Sequence, residues 1–163
     1  MSAPHASRFV LPGLVQRLFL AFEATHAAAD VWRRWPDVTP EEQDTPDCVP
    51  VSAMFLEHAQ ASGFHGSIVL AAAAEHPWAE THAWVRLYGV LGMGGWLDID
   101  WTARQYHNLE QLDGFREAVL ALPWPLTWPG SDVHPIAGSF RTVHTVMSEG
   151  DARAWIAASP AWA

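Results

Sequence analysis

Two short stretches in the middle of the chain alternate between two kinds of side chain. In Thr81–Tyr88, every second residue from His82 onward is polar or aromatic, and the residues between are Ala, Val and Leu. Trp96–Asp100 alternates in the same way, and a Gly-rich segment, 89–95, joins the two stretches. Side chains of a strand point to opposite faces in turn, and glycines favour a tight chain reversal. The pattern therefore predicts a β-hairpin and, with it, a mainly antiparallel sheet.

The rest of the chain supplies helices and further strands around this hairpin. Apolar spacing, the N-cap residue Asp47 and the helix-ending Gly63 set the predicted boundaries. The predicted helices are 12–34, 47–61, 109–122 and 148–158, and the additional strands are 67–72 and 139–147. A chain of 163 residues is long enough for one domain and too short for two ordinary ones. We expect one α+β domain over residues 1–163, with its sheet packed against the second helix.

Two segments are predicted to be loops. Residues 36–47 are acidic and Pro-rich, and residues 123–138 contain four prolines. The first, called the acidic loop below, is typical of a solvated surface, although it would also suit a basic partner. Trp124 and Trp128 in the second are expected to pack in the core, with a lid or docking surface as the alternative.

Charge and cysteine content exclude several classes of protein. The formal net charge is −9, which argues against a nucleic-acid binder and against docking on an anionic membrane. One cysteine cannot form an internal disulfide. No segment has the roughly 18 uninterrupted apolar residues of a membrane span, and no convincing signal peptide is present. We expect a cytoplasmic protein, or one exported by a dedicated secretion system.

The single cysteine, Cys48, lies where the second predicted helix begins. Free N–H groups and the dipole at a helix N-terminus favour a thiolate, which is the nucleophilic form of cysteine. A lone cysteine is, however, more often a small buried apolar residue. Position alone therefore leaves a nucleophile and a core residue both open.

His82 lies on the first strand of the predicted hairpin, and two aspartates lie on the second. A cysteine nucleophile needs an imidazole to move its proton, and the imidazole needs an acid to orient it. Asp98 and Asp100 both lie on one face of the second strand. A symmetric hairpin pairs His82 with Asp100 and Trp84 with Asp98, which favours Asp100 as the partner of His82.

The motifs around these residues resemble a known superfamily. The stretch 81–85 (Thr-His-Ala-Trp-Val) and the stretch 99–106 (Ile-Asp-Trp-Thr-Ala-Arg-Gln-Tyr) are similar to the HAWV and IDPTARQF pattern of bacterial papain-like toxin and glutamine-deamidase domains. Cys48, a helix ending at Gly63 and an apolar strand match the rest of that pattern. The resemblance covers residues 44–107, the expected catalytic core, and Trp101 stands where the pattern usually has Pro.

The resemblance implies a papain/transglutaminase-like core and a Cys-His-Asp triad. Cys48 would attack a carbonyl carbon, His82 would move the proton, and Asp100 would hold His82. The reaction implied first is deamidation or transamidation of glutamine on a protein or peptide, with proteolysis as the alternative. Residues that could stabilise an oxyanion or contact substrate are Gln43, Trp84 and Gln105. No cofactor, metal, nucleic acid or membrane is expected in this reading, and the oligomeric state is open.

Two other functions remain open from the residues. A non-catalytic protein-binding module could retain the fold, with surface Trp residues and the acidic loop making contacts. A Zn²⁺ site could be built from His76, His82, Asp98 and Asp100, although no HExxH or CxxC spacing supports it. His134 and His144 are expected to be structural.

Overall fold

The predicted hairpin lies at the centre of an antiparallel sheet. The computed structural model describes residues 11–73, 81–92, 95–108, 115–130, 134–135 and 140–158. The strands in these residues are β1 (His65–Ala73), β2 (Thr81–Tyr88), β3 (Trp96–Asp100), β4 (Leu126–Pro129) and β5 (Phe140–Val146). Their order across the sheet is β4-β3-β2-β1-β5, and every neighbouring pair is antiparallel. The α+β fold class is confirmed, and β2 and β3 have the predicted bounds.

Helices cover the sheet. They are α1 (Gly13–Thr25), α2 (Ala27–Arg34), α3 (Cys48–Ala61), α4 (Phe115–Ala121) and α5 (Glu149–Ala158), with a 3-10 helix over Ala103–Asn108. The helix predicted from residue 109 is described only from Phe115, since 109–114 lie outside the described residues. Among the described residues, no helix combines the length and the apolar character needed to cross a membrane.

The sheet is buried on both faces, because alternate residues of its central strands belong to two different apolar clusters. Val85, Leu87 and Ile99 pack with α1, α2, α3 and α5 in the larger cluster. Trp84 packs in the smaller cluster with residues of β4 and α4, among them Trp128. His82 has the same parity as Trp84 and therefore starts on the face of the smaller cluster.

The single helix predicted over 12–34 is wrong, because the chain breaks at His26. That residue has extended dihedrals (φ −124°, ψ 111°) and separates α1 from α2. Its ring stacks on Phe22 at 4.3 Å between centroids and meets the His58 ring edge to face at 5.7 Å. At this break the imidazole covers the core residue Phe22.

The loop predicted over 123–138 contains a strand. Leu126 and Trp128 of β4 are buried, whereas Pro129 is exposed, and β4 pairs with β3 at the edge of the sheet. Proline is tolerated there because an edge strand does not need every N–H for a ladder. The prediction missed the strand because it gave the prolines more weight than the alternation.

The hairpin register differs from the symmetric pairing by two residues. Arg86 pairs with Asp98 and Val85 with Ile99, so the predicted pairs His82–Asp100 and Trp84–Asp98 are wrong. Gly89 and Gly92 adopt positive φ (75° and 73°) in the connecting loop, and the loop closes through a bond from the Gly89 N–H to the Gly95 carbonyl. A shift of two residues keeps each side chain on its face, so His82 and Asp100 remain diagonal neighbours.

Candidate active site

Cys48 is the first residue of α3, as predicted. Asp47 occupies the N-cap position, and its carbonyl accepts the Val51 N–H at 3.1 Å, although its side chain makes no capping hydrogen bond. The N–H groups of a first helical turn have no intrahelical acceptor, so they point toward whatever lies before the helix. The Cys48 thiol, which is partly exposed, lies within hydrogen-bonding reach of the His82 imidazole.

His82 is the second residue of β2 and is fully buried. Its Nε2 atom lies 2.6 Å from Oδ2 of Asp100, at the end of β3, and both side chains are completely buried. Because Nε2 is committed to the carboxylate, Nδ1 is the nitrogen through which the ring can exchange a proton with the thiol. The structure thus brings Cys48, His82 and Asp100 together in the order that the sequence predicts.

Asp100 is held by donors on both carboxylate oxygens. Oδ2 accepts from Nε2 of His82 and also from Nε2 of His134, the second at 2.7 Å. Oδ1 accepts the Thr102 backbone N–H at 3.0 Å, with the Thr102 hydroxyl at 3.4 Å. A carboxylate can only accept, so this set of donors stabilises its ionised form.

The pKa values of the buried pair are displaced in opposite directions. Burial by itself lowers the pKa of His82, but the Asp100 charge and hydrogen bond, helped by Cys48, outweigh burial and raise it to about 10. Burial raises the pKa of Asp100, but the His82 charge and the bonds from His134 and His82 hold it well below the usual carboxyl range. The pair is therefore an imidazolium and a carboxylate at neutral pH.

Stability is expected to fall as pH rises from about 6.5, the ordinary imidazole pKa, toward 10. A raised folded-state pKa of His82 contributes stability that is complete below the unfolded pKa and is lost as pH rises through the folded value, about 10. His82→Ala keeps the other eight histidines, so the difference between the two proteins reports on His82. Urea unfolding across this pH range should show a loss of several kcal/mol that is absent in His82→Ala; an equal slope in both proteins would contradict the assignment.

The other predicted site residues have different surroundings. Gln105, in the 3-10 helix, places its amide Nε2 3.3 Å from Nδ1 of His82. Trp84 is completely buried next to His82, with ring centroids 5.8 Å apart, so it supports the imidazole from within the core. Gln43 is exposed in the acidic loop, and among the described residues its side chain has no hydrogen-bond partner. Of these three, only Gln105 approaches the imidazole from the side of the reactive nitrogen.

Asp98 differs from Asp100 although both are fully buried on the same face of β3. Arg86 donates to both Asp98 oxygens, from Nε at 2.8 Å and from Nη2 at 3.1 Å. The guanidinium also lies 4.6 Å from the centroid of Trp96. Asp98 is therefore committed to an ion pair, which explains why the neighbouring Asp100 orients His82.

A metal site is the alternative function for the buried His and Asp residues of this site. The ligand atoms of His82, Asp100 and His134 lie within 4.8 Å of one another, and all three residues are buried. The set differs from the predicted one, since Asp98 pairs with Arg86 and His76 lies outside the described residues. The contacts of 2.6 and 2.7 Å to Asp100 Oδ2 are ordinary charge-assisted hydrogen bonds. They account for the cluster without an ion.

His134 is the member of the site that the sequence prediction placed elsewhere, as a structural residue. It lies between β4 and β5, is completely buried, and reaches Asp100 from a position 34 residues away in the chain. No spacing rule connects it to His82 or Asp100 in the sequence.

Compared with family models, with curated proteins and with solved structures, the chain matches none of them.

Proposed function

We propose that this protein is a cysteine-dependent amidohydrolase or acyl-transferase with Cys48 as nucleophile, and that its α3 helix and antiparallel sheet form a papain-like core. One observation carries the proposal: the thiol at the start of α3 lies close enough to the His82 imidazole to help raise its pKa, and Nε2 of that imidazole is held by a buried carboxylate. A structural cysteine has no need of that arrangement, whereas nucleophilic catalysis requires it.

The proposed reaction uses two steps. The Cys48 thiolate attacks the amide carbon, and the His82 imidazolium donates its Nδ1 proton to the nitrogen as the C–N bond breaks. A thioester remains and an amine or ammonia leaves. His82, now neutral, takes a proton from water or from an incoming amine, which attacks the thioester carbon. The C–S bond breaks, the thiolate is regenerated and the imidazolium is restored.

Charge on the carbonyl oxygen must be stabilised in both steps. The Cys48 backbone N–H, at the start of α3, is the natural first donor, because it has no acceptor within the helix. Gln105 is the better placed of the two glutamines for the second donor, since its amide lies 3.3 Å from His82 Nδ1. Gln43 would have to move from the exposed acidic loop to take that role.

The substrate proposal rests on the resemblance of residues 81–85 and 99–106 to glutamine-deamidase domains. Water as the acceptor gives deamidation of a glutamine side chain, and an amine gives transamidation. A backbone amide as substrate would instead give proteolysis by the same residues. The chemistry of Cys48, His82 and Asp100 is common to all three reactions, so the first test addresses this shared chemistry.

We expect iodoacetamide to alkylate Cys48 at about pH 6.5 at least tenfold faster in the wild-type protein than in His82→Ala. The reason is that the His82 imidazolium stabilises the thiolate, which is the form that reacts. Rates are measured by mass spectrometry of the intact chain, which has a single thiol. His144→Ala is the matched control, since His144 is exposed and stacks on Trp155.

Equal alkylation rates in all three proteins would contradict the proposal. A thiol that His82 does not influence would be a core cysteine, and the fold would then serve a protein-binding module. If His82→Ala alone is slow, the next measurement is ammonia release from proteins and peptides that contain glutamine.

A further inference from the structure

His134 is a second histidine on the carboxylate that orients His82. Its Nε2 lies 2.7 Å from Asp100 Oδ2, the same oxygen that His82 contacts, and neither imidazole is exposed. The His134 ring meets Trp84 and Trp128 edge to face, at centroid distances of 5.4 and 5.0 Å. Two indole rings thus fix the plane of an imidazole that is directed at the acid of the proposed triad.

We propose that His134 is a positioning residue that extends the triad to a chain of four, Cys48–His82–Asp100–His134. The proposal rests on the function proposed above. His134 touches no reacting atom, and it acts by keeping Asp100 ionised and in one orientation while His82 gains and loses its proton.

The direction of the His134 hydrogen bond follows from the acceptor. Asp100 is an ionised carboxylate, so the proton between the two groups must belong to His134 Nε2. Burial lowers the pKa of His134, and the nearby His82 charge lowers it further, against the opposing effect of Asp100. His134 is therefore neutral, and it offers Asp100 a donor without competing with His82 for the positive charge.

This neutral donor matters most in the middle of the reaction. When His82 gives its proton to the leaving nitrogen, Asp100 loses its only described cationic neighbour while it stays completely buried. A buried carboxylate without enough donors takes up a proton. His134 and the Thr102 N–H remain bonded to Asp100 throughout, so the carboxylate stays ionised and continues to accept the Nε2–H of the neutral His82.

The test compares two replacements that differ in the donor. His134→Gln places an amide N–H near the position of Nε2, whereas His134→Leu fills the same space without any donor. We expect Cys48 alkylation at about pH 6.5 to fall about tenfold in His134→Leu and to stay within about twofold of wild type in His134→Gln. In His134→Leu, the acid limb of the alkylation-pH profile should also move to higher pH, because Asp100 protonates more readily.

Each of four results would overturn the proposal. If His134→Leu keeps the wild-type alkylation rate and pH profile while His82→Ala is slow, His134 has no positioning role, and the proposed function still stands. Equally slow His134→Gln and His134→Leu would show that the N–H donated to Asp100 is not what His134 contributes, because restoring a donor would not restore the rate. A wild-type rate in His82→Ala would reject the proposed function itself. If His134→Leu does not unfold cooperatively and so is not properly folded, His134→Asn is used in its place, because the shorter Asn side chain cannot reach Asp100. A wild-type alkylation rate in His134→Asn would then reject the proposal.

Discussion

Asp100→Asn is expected to slow release of ammonia from an N-blocked glutamine peptide by up to about 10⁴-fold, the loss that follows when the acid of a Ser-His-Asp triad becomes an amide. Asp100 Oδ2 faces two imidazole nitrogens, and Oδ1 faces the Thr102 N–H. An amide has one acceptor end and one donor end. Whichever way Asn is oriented, its NH₂ group, a donor, faces a group that donated a hydrogen bond to the carboxylate.

The least costly way to relieve that conflict changes the tautomer of His82. If the Asn NH₂ group faces His82 Nε2, that nitrogen must be unprotonated, so the ring proton moves to Nδ1. An imidazole with its proton on Nδ1 cannot take the Cys48 proton, which accounts for the expected loss. The ¹⁵N chemical shifts of the His82 ring nitrogens should show the exchange of protonation directly.

Asp98→Asn is the matched control for Asp100→Asn. Asp98 lies two residues earlier on the same face of β3 and is equally buried, but it binds Arg86 instead of His82. Its replacement should lower stability and leave the ammonia-release rate within a few-fold of wild type. Equal rate losses in the two variants would mean that any buried charge on β3 matters, and the orienting role of Asp100 would be rejected.

The face on which each site residue lies could be predicted from the sequence, although the register could not. Alternation in β2 and β3 fixed His82 and Asp100 on one face, and a two-residue shift leaves that assignment unchanged. The symmetric pairing failed because the loop, with positive φ at Gly89 and Gly92, closes from Gly89 to Gly95. Side chains on a strand alternate with a period of two residues, so this alternation cannot distinguish two strand registers that differ by two residues.

Features that depend on tertiary contacts were the ones that the sequence did not reveal. The break at His26 follows from its ring packing on Phe22, and nothing in the local spacing marks it. His134 reaches Asp100 from a segment without periodicity, and four prolines in 123–138 concealed β4. Helix and strand patterns record which faces are buried, whereas a single polar contact between distant segments leaves no pattern.

Arg86→Met is expected to lower the free energy of unfolding by about 3–5 kcal/mol, because it removes the guanidinium that donates to both oxygens of the buried Asp98 carboxylate. The side chains of Arg86 and Asp98 are 7% and 0% exposed, and their contact is bidentate. Met keeps the apolar stem of Arg next to Trp96, so the change removes mainly the charge. Urea unfolding at neutral pH measures the loss, and an unchanged m-value would show that the unfolded state is the same.

The double variant Arg86→Met/Asp98→Leu distinguishes the cost of losing Arg86 while the buried Asp98 charge remains from the value of the pair. Since burying two ions is itself expensive, the double variant should recover most of the stability that Arg86→Met loses. Arg153→Met is the surface control: Arg153 and Glu149 are 61% and 40% exposed, and breaking such a pair costs less than about 1 kcal/mol. If Arg86→Met costs no more than Arg153→Met, water reaches Asp98 and the pair is not buried in solution. If the double variant is no more stable than Arg86→Met, the ion pair itself contributes to holding β2 against β3.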